Sequence, residues 1–313
     1  MKFATVAVCL VSIALAAPAR AASTAFLSSA GSGSSCTPAA PCVNMDTAIS
    51  AAGAGGEVVC LDKFKYGSAS AITASVTISC GDGLWDTSLP LVNVNTPAGS
   101  RVVIEGLVGD CLGLNCGTIL NFNGQGALEL RRVSIGNSGG TIAHALLFAP
   151  NGSASLTVSD SHFYDMPLSG IQIQPVSGGS ANVYIRNTRF SRNQNGINAN
   201  GSGSTGGITV NIVDSAVSGS SGNGITASTP GSGAPVTISV MNSQVSGNHN
   251  GLRVSGPSAS GRGSAAIAVF GSQITANANG LSASALGQIL THGNNQLRFN
   301  TNDGAFTGNI GLQ

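Results

Sequence analysis

The chain has 313 residues, only 8% of them charged, and its 13 Lys and Arg nearly balance 12 Asp and Glu. A charge-poor, near-neutral chain lacks the basic footprint that an electrostatic nucleic-acid binder needs. Its 44 glycines would suit a disordered polymer, but the apolar residues recur at regular spacing, which disordered chains lack.

Residues 1–21 read as an export signal. Lys2 is followed by the apolar run Phe3 to Ala17, and Ala19-Arg20-Ala21 is an A-x-A-like site that puts cleavage before Ala22. The rival is an uncleaved anchor, but the run is short of the ~20 residues a span requires. Cys9 lies inside the run, so it is not a lipoprotein cysteine. No later stretch could cross a bilayer, and the mature chain is expected to be secreted or periplasmic. Removing Lys2 and Arg20 from the 13 basic residues leaves 11 against 12 acidic ones.

Six cysteines remain: Cys36, Cys42, Cys60, Cys80, Cys111 and Cys116. An even count in an exported chain points to disulfides confined to the N-terminal third. Of the possible connectivities, the close spacings favour Cys36–Cys42 and Cys111–Cys116, leaving Cys60–Cys80. A metal site is the alternative, but there is no Cys-x-x-Cys and no His before His144. Residues 22–55 are expected to form a disulfide-containing cap with one short helix at Asn44 to Ala52, whose Ala48, Ile49 and Ala52 cover the first coil. Gly56 to Leu61 reads as the first strand of a domain running over 56–313.

From residue 128 the chain repeats itself. Segments beginning Leu128, Leu156, Val183, Val210, Ile238 and Ile267 align, with fainter copies at Val76 and Val102. A second register follows in each unit: Gly170-Ile171, Gly196-Ile197, Gly224-Ile225, Gly251-Leu252 and Gly280-Leu281. Within a unit apolar and polar residues alternate, the period of a strand, and Asn, Asp, Ser and Gly mark tight turns between strands. One such unit cannot bury its apolar side, whereas stacked parallel units about 4.8 Å apart share a core. The absence of helix-length patterns argues against helical and leucine-rich solenoids, and propeller blades need about 40 residues. The expected fold is all-β: a single-stranded parallel β-helix, right-handed by the preference of parallel crossovers. Asp160, Asn187, Asp214 and Asn242 align at one corner, where their side chains are expected to form a ladder bonding the next coil. The segment Asn302 to Gln313 shows no helix and reads as a last partial coil or a contact surface.

Three features carry a family resemblance. They are Cys36-Thr37-Pro38-Ala39-Ala40-Pro41-Cys42 followed by a short helix and Gly55-Gly56-Glu57-Val58-Val59, the turn Val76-Thr77-Ile78-Ser79-Cys80-Gly81-Asp82-Gly83, and the Asn-Gly-Ile-like repeats. Together they resemble exported bacterial proteins of the pectin-lyase-like, right-handed parallel β-helix superfamily. The resemblance implies work on acidic polysaccharides along an exposed strand face. The Asn-Thr-Asp, Asp-Asp, Gly-His-Gly and Arg-Ile-Lys motifs of its polygalacturonase-like members do not occur here. Its pectate-lyase-like members hold calcium with clustered acids and use an Arg as base. Fold does not fix function, so the outward positions decide.

On the Gly-Ile strand the outward residues are Gln172 and Gln174, Asn198 and Asn200, Thr226 and Ser228, Arg253 and Ser255, then Ser282 and Ser284. This stripe has no carboxylate; from 166 to 313 the acids are Asp214 and Asp303. Hydrolysis normally needs two carboxyls, and calcium needs several oxygen ligands, usually acidic. The stripe can bind sugar through Gln172, Gln174, Asn198, Asn200, Thr226 and Arg253, or it is simply the soluble side of a strand; Trp85, the one tryptophan, lies outside it. A second patch collects the scarce charges: Glu129, Arg131, Arg132, Asp160, His162, Tyr164, Asp165, Tyr184, Arg186, Arg189 and Arg192. The plain reading is a solvated face of weak ion pairs. The chemical reading is a site for an anionic sugar, with His162 or Tyr184 as acid or base and Arg186 and Arg189 as grips. His144 reads as a turn residue, His249 as part of an Asn-rich corner and His292 as part of the last coil, none with a role. The Gly/Ser-rich inserts 175–181, 201–207, 229–235 and 256–265 read as flexible loops on one edge, not lids. The leading expectation is a non-catalytic binder of polysaccharide or a cell-surface polymer, with no cofactor and no metal. A divergent lyase or hydrolase on uronate-containing glycans and an adhesin or structural module are the alternatives.

Overall fold

A computed structural model describes residues 22–66, 70–81, 85–87, 92–110, 117–137, 144–258 and 263–311. The segment 1–21, expected to be an export signal, and the expected pair Cys111 and Cys116 lie outside the described residues. Among the described residues no helix is long and apolar enough to cross a membrane.

The described residues wind through three parallel sheets of 12, 10 and 9 strands. One coil shows the plan. Ser153–Ser159 lies in the first sheet, His162–Tyr164 in the second and Ser169–Ile173 in the third, and Ser180–Arg186 then re-enters the first. Each strand pairs with its equivalent one coil on, so identical positions stack. Leu156, Val183, Val210, Ile238, Ile267 and Ile289 form one inward column, and all are buried. Phe163 stacks on Phe190 in the second sheet and Phe122 on Phe148 in the third. Each fully buried side chain of this kind contributes about 1.5–3 kcal/mol, and the stack joins them into one continuous core.

Three corners close each coil. At the first, Arg132, Asp160, Asn187, Asp214 and Asn242 all adopt positive φ of 48–53° or, for Asn187, 46°, a conformation that Asn and Asp tolerate better than most residues. The expected Asx ladder is therefore largely a backbone feature; of its members Asn187 Nδ2 donates to Asp160 Oδ1 at 2.6 Å. The coil-to-coil bonds come from the next residue. The amides of Val133, Thr188, Ser215 and Ser243 donate to the hydroxyls of Ser161, Ser215, Ser243 and Ser272. At the second corner a ladder runs through buried Asn248 and Asn277 and half-buried Asn300, each Oδ1 accepting the preceding coil's backbone N–H at 2.9 Å. Asp303 closes it by accepting from Asn300 N. A third ladder links the amides of Asn195, Asn223, Asn250 and Asn279 in sequence. The glycines that follow have a steric cause: a Cβ on Gly196 or Gly224 would stand 2.6–2.7 Å from the next coil's glycine carbonyl oxygen.

The N-terminal end is capped by the helix Met45–Ala52, with Asn44 Oδ1 accepting from Asp46 N and Thr47 N. Met45, Ala48 and Ala52 are its buried residues, while Ile49 is only partly covered; the expected face is thus rotated to include Met45. Gly56–Cys60 is not the first strand, because Thr24–Leu27 pairs alongside it. The cap segment contributes the edge of the first sheet. Disulfides join Cys36 to Cys42, as the close spacing favoured, and Cys60 to Cys80, the pair left over in that reading. Cys60 and Cys80 sit in adjacent coils with Cα atoms 4.6 Å apart. At the other end Gly308–Asn309 pairs with Leu290 and Thr291, a last partial coil, and Phe306 packs on the core. His144 opens the strand His144–Phe148 instead of occupying a turn.

Candidate functional site

The third sheet carries the polar stripe. Gln172, Asn198, Thr226, Arg253 and Ser282 are register partners in successive coils, and Asn200, Ser228, Ser255 and Ser284 form a parallel row. Alternation along each strand puts both rows on the outer face. The two halves of the stripe differ. At its upstream end Gln172 is 5% exposed; its Oε1 accepts from Asn198 Nδ2 at 2.9 Å and its Nε2 donates to Gln174 Oε1 at 3.2 Å. These amides satisfy one another. Thr226 is also buried, and its Oγ1 has no partner.

Downstream the stripe opens into a groove of about 600 Å³ lined by Asn200, Ser228, Thr229 and Ser255. Pro230–Ser232 and Gly256–Ser258 supply its wall, a part that the sequence reading did not assign to these inserts. Asn200 Oδ1 accepts from Ser202 N, which fixes the entry. Arg253 is exposed and makes no ion pair among the described residues. Hydroxyls and the Asn200 amide face this groove, and Arg253 stands in the neighbouring row of the same sheet. That donor set does not fit a calcium site, which takes 6–8 oxygens and usually several carboxylates, and no cluster of three metal-ligating side chains occurs among the described residues.

The charged patch is divided by the first corner. Tyr184 and Arg186 lie on the outer side of the first sheet, next to Thr157 and Ser159 of the preceding coil. His162 and Arg189 are register partners on the second, as the repeat predicts. Asp165 accepts from Arg192 Nε at 2.7 Å and Nη2 at 2.8 Å. Glu129 pairs with Arg101 and Arg131, and Glu105 with Arg132. His162 Nε2 lies 2.7 Å from Ser191 Oγ, and its ring stacks on Tyr164 at 4.7 Å. Burial, then the Arg189 and Arg192 charges, hold His162 below its ordinary pKa, while Asp165 pulls the other way. Burial and the Asp110 and Asp165 charges push the Tyr164 phenol up. His162 shares a hollow with Asp160, Arg132 and Ser134; Tyr184, 41% exposed, is not part of its lining.

No family model and no curated protein matches the chain. Two solved structures are similar in shape. One is pectate lyase Pel9A, at 13% identity over 91% of this chain and 82% of that one, with a TM-score of 0.52. Another is an alginate lyase from Paenibacillus sp. str. FPU-7, at 14% identity over 93% and 99%, with a TM-score of 0.38. The second superposition is too loose to argue from, and identities this low speak to architecture and not to chemistry. From the first, together with the coil register, the chain has the pectin-lyase-like parallel β-helix fold.

Proposed function

We propose that the protein is an exported β-helix that binds an acidic polysaccharide, or a comparable surface polymer, along its third sheet without cleaving it. One observation carries the reading: Arg253 stands without a counter-charge inside two rows of amides and hydroxyls repeated once per coil. A guanidinium grips a carboxylate through paired N–H donors, and the flanking hydroxyls suit ring oxygens. No carboxylate lies on either row, so the face lacks an acid for hydrolysis. That the neighbour Pel9A is a pectate lyase is consistent with a uronate ligand. The test is affinity electrophoresis through polygalacturonate, alginate and neutral gels. Wild-type protein is retarded by at least one acidic polymer, and Arg253→Ala loses about tenfold in affinity, the scale of a charged hydrogen bond. Free migration of the wild type in every gel defeats the proposal.

A lyase reading has one point in its favour: His162, its pKa lowered by burial and by Arg189 and Arg192, lies beside Tyr164 and is the register partner of Arg189, a base next to a cation. Incubation with pectin and alginate, followed by assay for unsaturated products, decides it. Activity that survives His162→Ala, Tyr184→Phe and Arg189→Ala together excludes this patch as the site.

A further inference from the structure

Outside the first corner runs a second groove, of about 490 Å³. One wall is the corner row Asn187, Asp214 and Asn242; the other is the second-sheet row holding Arg189, Gln244 and Gln273. Members of a row recur once per coil, about 4.8 Å apart. All six are exposed. Apart from Asn187, none makes a side-chain hydrogen bond or ion pair among the described residues. This differs from Gln172, Gln174 and Asn198, which bond one another. The groove thus presents three unused amides, those of Asn242, Gln244 and Gln273, each both donor and acceptor, over a floor whose Ser215 and Ser243 hydroxyls already link coils.

The charge and the spacing select the occupant. Asp214 offsets Arg189, so a polyanion gains no net attraction, in contrast to the third sheet with its lone Arg253. An extended peptide repeats each side every two residues, about 6.8 Å, and falls out of step with the coils. An extended chain of pyranose rings advances by close to one coil per sugar, and its hydroxyls also donate and accept. We propose that this corner groove is a second, separate site for an uncharged, extended glycan, one sugar per coil. It does not depend on the third-sheet reading, and the two sites together would let one molecule hold a neutral and an acidic chain at once.

The experiment is titration of the full chain with hexasaccharides of β-1,4-linked glucose, mannose and xylose, with polygalacturonate in parallel. At least one neutral hexasaccharide binds. The variant Asn242→Gly/Gln244→Ala/Gln273→Ala weakens that binding at least about tenfold and leaves polygalacturonate binding unchanged. Glycine is chosen at 242 because Gly271 already occupies the corner position one coil on, at positive φ. Ala216→Trp, which places a ring in the groove midway along the row, abolishes the same binding without removing any polar group. Arg253→Ala leaves it intact. The proposal is overturned if no neutral hexasaccharide binds, or if both groove variants bind as wild type does; loss with Arg253→Ala alone would place the neutral ligand on the third sheet.

Discussion

Asn248 joins three coils through one amide. Its Oδ1 accepts from Ser220 N at 2.9 Å, and its Nδ2 donates to Val217 O and to Asn277 Oδ1. At 2% exposure, water cannot replace these partners. Asn248→Ala leaves a buried N–H and a buried carbonyl unmatched, each costing about 1–3 kcal/mol. Chemical denaturation should show a loss of about 2–4 kcal/mol, against less than about 0.5 kcal/mol for exposed Gln244→Ala. Titration acts at the same scale. Burial lowers the pKa of both His144 and His162, so the unfolded chain takes up protons first as the pH falls. Their contribution is intact above an unfolded pKa of about 6.5 and declines as the pH drops from there through the folded values. The thermal midpoint should fall between pH 7 and pH 5, and a His144→Gln/His162→Gln double variant should flatten that fall. An unchanged slope would assign the acid sensitivity elsewhere.

The short segment that opens each third-sheet strand decides how closely coils approach. Gly224 shows why it admits no side chain: a Cβ there would meet Gly251 O at 2.7 Å and Val245 Cγ1 at 3.0 Å. Gly224→Ala should cost about 1–3 kcal/mol by overpacking. Gly207 has nothing within 4 Å of such a Cβ, so Gly207→Ala serves as the tolerant control in the same denaturation series. The sequence made these elements readable through the period-2 alternation and the recurring Gly-Ile pair, because both report which way side chains point. It did not make the Asn ladders readable. Asn193-Gln194-Asn195 and Asn248-His249-Asn250 recur visibly, but polarity alone does not say that Asn248 turns into the core while His249 faces solvent. At the first corner the Asx residues align in the repeat, but the coil-to-coil bonds come from the neighbouring serines. The candidate site shared that limit. Period and register placed Asn200, Thr226 and Arg253 on one face; that Gln172 and Gln174 bond each other depends on side-chain torsions that no repeat encodes.

For the whole solenoid, each coil touches only its neighbours, so stability is close to a sum of local terms and need not be uniform along the axis. The two ends are unequal. The N-terminal end has a packed helix, an extra edge strand and two disulfides. The C-terminal end closes on a two-residue pairing, with Leu286 54% and Phe299 78% exposed. Native-state hydrogen exchange should therefore be fastest in segment 288–309 and slowest near 208–241, where every strand has a neighbour on both sides. Reduction probes the opposite end. The Cys60–Cys80 link closes a loop of 20 residues, for which chain entropy gives about 3 kcal/mol. Under reducing conditions exchange should accelerate at Thr24–Leu27 and Gly56–Cys60 and stay unchanged at 208–241, because the constraint lost is local and intervening coils are held by their own ladders. Equal acceleration along the whole axis would mean instead that the coils unfold as one cooperative unit, and that the staples at one end stabilise the grooves at the other.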